Sequence, residues 1–171
     1  MNTKRILLII FIFLFSSVSF LGGVFACFKF QKPIVQAEVQ YVPKETMETY
    51  AFTLFNLANT SRTAESKKEL LWNNCLAEQA RERAGYIAET GTFEHEDNNG
   101  NKPFKDMIQK CLNYTHAGEN LTKNFPKPEW ANQWLMNSPT HRANILGKYK
   151  QMGVGCVETE TDTYCVQFFA E

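Results

Sequence analysis

The chain has 171 residues, 44% of them hydrophobic and 21% charged, with 18 basic against 18 acidic side chains. That length gives room for one domain of ordinary size, and the composition is that of a globular chain, not a disordered one. The charges balance and form no basic block, which excludes a nucleic-acid partner, since that would need a positive stripe to neutralise phosphates.

In chain order, the first element is an export signal. Lys4 and Arg5 precede an apolar run from Ile6 to Cys27, broken only by Ser16, Ser17, Ser19, Gly22 and Gly23. A short basic region before an apolar core describes a secretory signal. Three endings stay open: cleavage after Ala26, a lipoprotein modification at Cys27, or an uncut membrane anchor, since ~20 apolar residues span a bilayer. All three leave the rest of the chain outside the cytoplasm, with any membrane attachment running through residues 1–27. Residues 28–44 hold two prolines and no helical period, and are read as a linker to a domain over 45–171.

A helix is expected from about Glu45 to near Ser61, with Tyr50, Phe52, Leu54, Phe55, Leu57 and Ala58 mostly on one side. A second runs from about Lys67 to Thr90. Its stripe is Leu70, Leu71, Cys75, Ala77, Ala80, Ala84, Ile87 and Ala88, and Gly91 stops it. Phe93 to Lys102 reads as a polar loop. It matches a calcium loop only in part, because His95 stands at the first ligand position and Asp106 at the last. Pro103 opens a short helix carrying Phe104, Met107, Ile108 and Leu112.

Ala117 to Lys123 reads as a strand, and Pro126-Lys127-Pro128 introduces a helix with Trp130, Trp134 and Leu135. Ser138-Pro139 starts another helix, with a side-chain cap and proline at the first position, and carries His141, Ile145 and Leu146 up to Gly147. Gln151 to Val157 and Tyr164 to Ala170 form a terminal hairpin. Helices come mainly first and the hairpin last, so the class is α+β, with helices packed on an antiparallel sheet. Trp72, Trp130 and Trp134 are read as core.

Four cysteines remain once Cys27 is assigned to the export segment. Cys156 and Cys165 flank the polar stretch Glu158 to Thr163, and a hairpin about that turn sets them side by side, so they pair. Elimination pairs Cys75 with Cys111. Free thiols are the alternative, which an oxidising compartment disfavours. No CxxC occurs to suggest a metal knot.

The three histidines sit in unusual company. Their segments run, in order, Gly91-Thr92-Phe93-Glu94-His95, then His116-Ala117-Gly118-Glu119-Asn120-Leu121, then Trp134 to Leu146 around Ser138-Pro139-Thr140-His141-Arg142-Ala143-Asn144. Met152-Gly153-Val154-Gly155-Cys156 follows. This succession resembles the CAP superfamily, which includes cysteine-rich secretory proteins, antigen 5 and plant pathogenesis-related 1 proteins, and most resembles its bacterial SCP-like branch. The resemblance covers about Glu45 to Glu171.

It implies a three-layer α-β-α sandwich with a large central cleft lined by two histidines and two glutamates. His95 matches the first histidine, Glu119 the first glutamate and His141 the second histidine. The second glutamate, three residues after the tryptophan matched by Trp134, is replaced by Asn137. Two imidazoles can hold a divalent metal such as zinc, with His95 and His141 as ligands and Glu119 as ligand, orienting partner or base. Without the second carboxylate, zinc is expected to bind weakly, and no cofactor is required. Asn144 is assigned to structure and Arg142 to solvent contact. The favoured function is a non-enzymatic extracytoplasmic binding module for a lipid, peptide or cell-surface component. The alternative is a metal-assisted hydrolase using His95, His141 and Glu119.

Overall fold

The hydroxyl of Thr46 accepts the Thr49 amide at 3.1 Å and opens α1 (Met47–Ala64). In this computed structural model, residues 46–97 and 99–171 are described. The expected export segment and the linker over 28–44 lie outside them. Helix α1 buries Tyr50, Ala51, Leu54, Phe55, Ala58, Asn59 and Arg62, an i, i+4, i+8 stripe with two polar members. Phe52, expected on that side, is 50% exposed.

The second helix starts later than its pattern implied. Leu71–Trp72 form a short strand, β1, and α2 covers only Asn74–Thr90. Asn59 explains the extended start: its side chain accepts the Leu70 amide at 2.8 Å and donates to the Leu70 carbonyl at 3.0 Å. Asn73 then caps α2 by accepting from the Leu76 amide. Gly91, at φ +72°, ends it as expected. Leu71 is 70% exposed and is no part of the stripe.

The remaining elements are α3 (Pro103–Gln109), β2 (Ala117–Lys123), α4 (Pro128–Asn137), α5 (Pro139–Ile145), β3 (Gln151–Glu158) and β4 (Thr163–Ala170). Leu112 lies beyond α3. The sheet order is β1-β3-β4-β2. The pairs β3–β4 and β2–β4 are antiparallel as expected, while β1 adds a parallel edge of two residues, too short to leave an alternating pattern in the sequence.

Alternation along the strands builds two cores. Met152, Val154, Cys156, Cys165 and Phe169 pack with α1, α4 and α5. Leu121, Tyr164, Val166, Phe168 and Ala170 pack with α2 and α3. The result is the three-layer α-β-α sandwich. Helix α2 lies almost on bare backbone: a Cβ at Gly153 would strike the Leu76–Ala77 backbone, and one at Gly155 the Arg81 backbone.

Both disulfides form the expected pairs. Cys156 stands opposite Cys165 across the hairpin, Cα atoms 4.1 Å apart, and Cys75 near the start of α2 is joined to Cys111 past α3, at 5.6 Å. Of the three tryptophans only Trp72 packs against the core. Trp130 and Trp134 are 52% and 43% exposed, because α4 buries Pro128, Ala131 and Leu135 and both rings fall off that face. Trp72 is partly buried, edge-on to Phe52 and Phe55 at 5.5 and 5.2 Å. Among the described residues no helix is long and apolar enough to cross a membrane.

Candidate functional site

A charged side chain begins the site. Arg83 occupies the buried stripe of α2, and strand β2 sets Glu119 on the same face of the sheet, opposite Phe168. Both side chains are 1% exposed, with Arg83 Nε donating to Glu119 Oε1 at 3.3 Å. Arg83 Nη2 also donates to the Glu94 carbonyl at 2.6 Å, fixing the backbone just before His95. The other carboxylate oxygen, Oε2, lies 2.7 Å from His95 Nδ1. A carboxylate only accepts, so Nδ1 carries a proton, and it is the neutral form of the ring that has a lone pair on Nε2 to offer. His95 itself is about half exposed.

The second histidine comes from the opposite layer. Asn120 follows Glu119 and faces the other side of the sheet, donating to the His141 carbonyl at 3.2 Å and to Gln167 Oε1 at 3.0 Å. Asn144 donates to the Glu119 carbonyl at 3.0 Å and to Asn120 Oδ1 at 2.9 Å. These amides tie α5, and with it His141, to β2. Gly118 makes room for this junction, since a Cβ there would meet the Tyr149 hydroxyl and Asn144.

His141 Nδ1 lies 2.8 Å from Ser138 Oγ. This corrects the expected helix cap: Ser138 makes no side-chain cap bond, because its hydroxyl is engaged by His141 and Thr140. Burial, and secondly the charge of His95, hold the His141 pKa below the usual histidine value. The His141 ring also packs against Trp134, centroids 4.9 Å apart.

A hollow of about 230 Å³ is lined by His95, Lys102, Phe104, Gly118, Glu119 and Asn144. Asn137 is exposed and lines a separate hollow with Glu65, Pro139 and Arg142. His116, 73% exposed, faces Thr115 and Glu171. Arg142 pairs with Glu65 at the surface. Asp97 accepts from the Asn99 and Asn101 amides, which makes the loop a polar turn. Among the described residues no group of three or more His, Cys, Asp and Glu side chains is placed to hold a metal. Any ion at His95 and His141 would therefore complete its shell with water or ligand.

Sequence reading missed Arg83. Its signal was present, a charge three residues after Ala80 and four before Ile87 inside an apolar stripe.

A layered sandwich with this histidine–carboxylate arrangement defines the class, and comparison with known proteins agrees. The chain belongs to the cysteine-rich secretory protein (CAP) family, whose family model matches residues 55–169, a span containing all four motif segments. Among solved structures it is similar to an extracellular SCP-domain protein of Bacillus anthracis, at 24% identity, covering 73% of this chain and 41% of that one, TM-score 0.64. A cysteine-rich secretory protein of Staphylococcus aureus gives 26% identity, 75% and 41% coverage and a TM-score of 0.58. An outer surface protein of Borrelia burgdorferi gives 18% identity, 75% and 96% coverage and a TM-score of 0.67. The chain thus spans about two fifths of the Bacillus and Staphylococcus chains. No curated protein matches it. It is a CAP domain of the extracellular type, and its two disulfides belong to an oxidising, extracytoplasmic compartment.

Proposed function

We propose that this domain is an extracytoplasmic binding module, exported through residues 1–27, whose cleft holds a divalent metal such as zinc weakly between His95 and His141. The supporting observation is the buried Arg83–Glu119 pair that holds His95 through Nδ1, which makes Nε2 the ring nitrogen left to ligate. His141 adds a second imidazole whose neutral form burial favours. When bound, the metal would present a positive centre to an acceptor group of a lipid, peptide or cell-surface component. Within the chain, Glu119 orients His95, Asn144 holds the edge of β2, and Asn120 fixes the backbone of His141.

The hydrolase alternative draws less support. Both oxygens of Glu119 are engaged and the side chain is 1% exposed, which leaves it poorly suited to take a proton from water.

Titration of zinc into the full chain by calorimetry tests the proposal. Saturable heat is expected, lost in the His95→Ala/His141→Ala variant. Identical heats for the two proteins would refute the metal site. Turnover of peptide, lipid or wall fragments that disappears in the same variant would favour the hydrolase instead.

A further inference from the structure

Strand β1 pairs with β3 only through Leu71 and Trp72, while β3 runs on to Glu158. The amides of Leu71 and Asn73 donate to the carbonyls of Lys150 and Met152 at 2.9 and 3.0 Å. Even-numbered residues of this stretch therefore turn their backbone groups towards that edge. Strand alternation carries the pattern on to Val154 and Cys156, past the end of β1. No strand among the described residues pairs with them there. Yet both are buried, at 2% and 4% exposure. That burial is of residues packed into the core beside α1, and a strand edge left unpaired next to it is a template for a further strand.

A cavity of about 340 Å³ adjoins it, lined by Ala51 and Phe52 of α1, Trp72, Ala77 of α2, and Val154 and Cys156. Half-exposed Phe52 packs edge-on to Trp72, giving the groove an aromatic wall. Its lining also carries carboxylates from both helices, Glu48 of α1 and Glu78 of α2. The one base, Arg81, is already ion-paired with Glu78. The unbalanced charge is negative.

We propose that this groove is a second binding site, for an extended peptide with an apolar residue flanked by lysine or arginine. Such a peptide continues the line of β1, hydrogen-bonds to Val154 and Cys156, rests its apolar side chain on Phe52 and Trp72, and sets a cation against Glu48, the carboxylate that Arg81 does not bond. Main-chain pairing supplies affinity and the aromatic wall and Glu48 supply selectivity, as in strand addition elsewhere. The site stands apart from the histidine cleft and does not depend on it.

The test uses the full chain in mild detergent and three probes: acetyl-Lys-Val-Phe-Val-Lys-amide, its Glu-flanked counterpart, and a backbone N-methylated copy. Hydrogen exchange followed by mass spectrometry reads the amides of residues 153–158. The basic peptide is expected to slow their exchange and the other two are not. Phe52→Ala, and separately Glu48→Gln, are expected to weaken binding about ten-fold or more, a loss of ~1.4 kcal/mol. Unchanged exchange at saturating peptide would overturn the proposal, as would equal protection by the acidic or N-methylated peptide. Protection that rises with protein concentration alone would assign the groove to a second copy. Phosphatidylglycerol vesicles that protect the same amides and displace the peptide would assign it to lipid.

Discussion

Arg83 carries a charge where the period of α2 calls for hydrocarbon, and Glu119 is the reason it is tolerated. Removing one member of a buried pair leaves the other uncompensated, which costs about 3–5 kcal/mol. Arg83→Met is therefore expected to lower unfolding stability by that order in urea titration. Adding Glu119→Gln to it should recover part of the loss, since no buried charge then remains. If Arg83→Met left stability unchanged, the carboxylate would not be buried as described. His141 makes a second residue-level prediction. Its folded pKa lies below the unfolded value, so the unfolded chain binds more protons in acid. Its contribution is intact above the unfolded pKa of ~6.5 and is lost as pH falls through the folded value. His141→Gln should flatten the stability profile in that window. The histidines and Glu119 were legible because they sit in ordered motifs. Arg83 was not, because its stripe position looks like an interruption until the strand partner is known.

At the level of elements, α2 and β3 touch through glycine. A methyl at Gly155 would meet the Ala80–Arg81 backbone, so the helix must shift. Gly155→Ala is expected to destabilise by roughly 1–3 kcal/mol, read as a lower thermal midpoint, whereas an unchanged midpoint would mean that α2 sits farther from the sheet. Arg62 braces the other layer, its Nη1 donating to the carbonyls of Ile145 and Gly147 at 2.6 and 2.9 Å and so closing the end of α5. Helix periodicity and proline starts gave five helices near their observed places, and the polar stretch Glu158 to Thr163 between two apolar runs gave the hairpin. The start of α2 was misplaced because Leu70, Leu71 and Trp72 continue an apolar pattern while Asn59, distant in the chain, holds Leu70 extended. A cross-chain clamp leaves no local trace. The exposed Trp130 and Trp134 teach a similar lesson, since large apolar rings read as core from composition and only the phase of α4 turns them outward.

For the whole molecule, the disulfides set a ranking. Cys75–Cys111 closes 36 residues and Cys156–Cys165 only nine. Chain entropy assigns them roughly 4 and 2.5 kcal/mol, so Cys75→Ser with Cys111→Ser should lower stability the more in denaturant titration. The reverse order would show that the hairpin crosslink acts on the folded state instead. The layered sandwich was legible from the order of helices and hairpin together with the motif succession. The parallel edge of two residues, the groove beside it and the layer each histidine comes from were not, since they depend on how distant segments meet. Of the residues matched by motif, His95 and Glu119 line one hollow and Asn137 another, while His141 lines neither of these two. The central claim is that two imidazoles from opposite layers share one metal ion. X-ray absorption on the zinc-loaded full chain tests it most directly. Two imidazole nitrogens at ~2.0–2.1 Å with oxygen completing the shell are expected, both lost in His95→Ala/His141→Ala. A spectrum without imidazole scattering, or one unchanged by that double substitution, would contradict it.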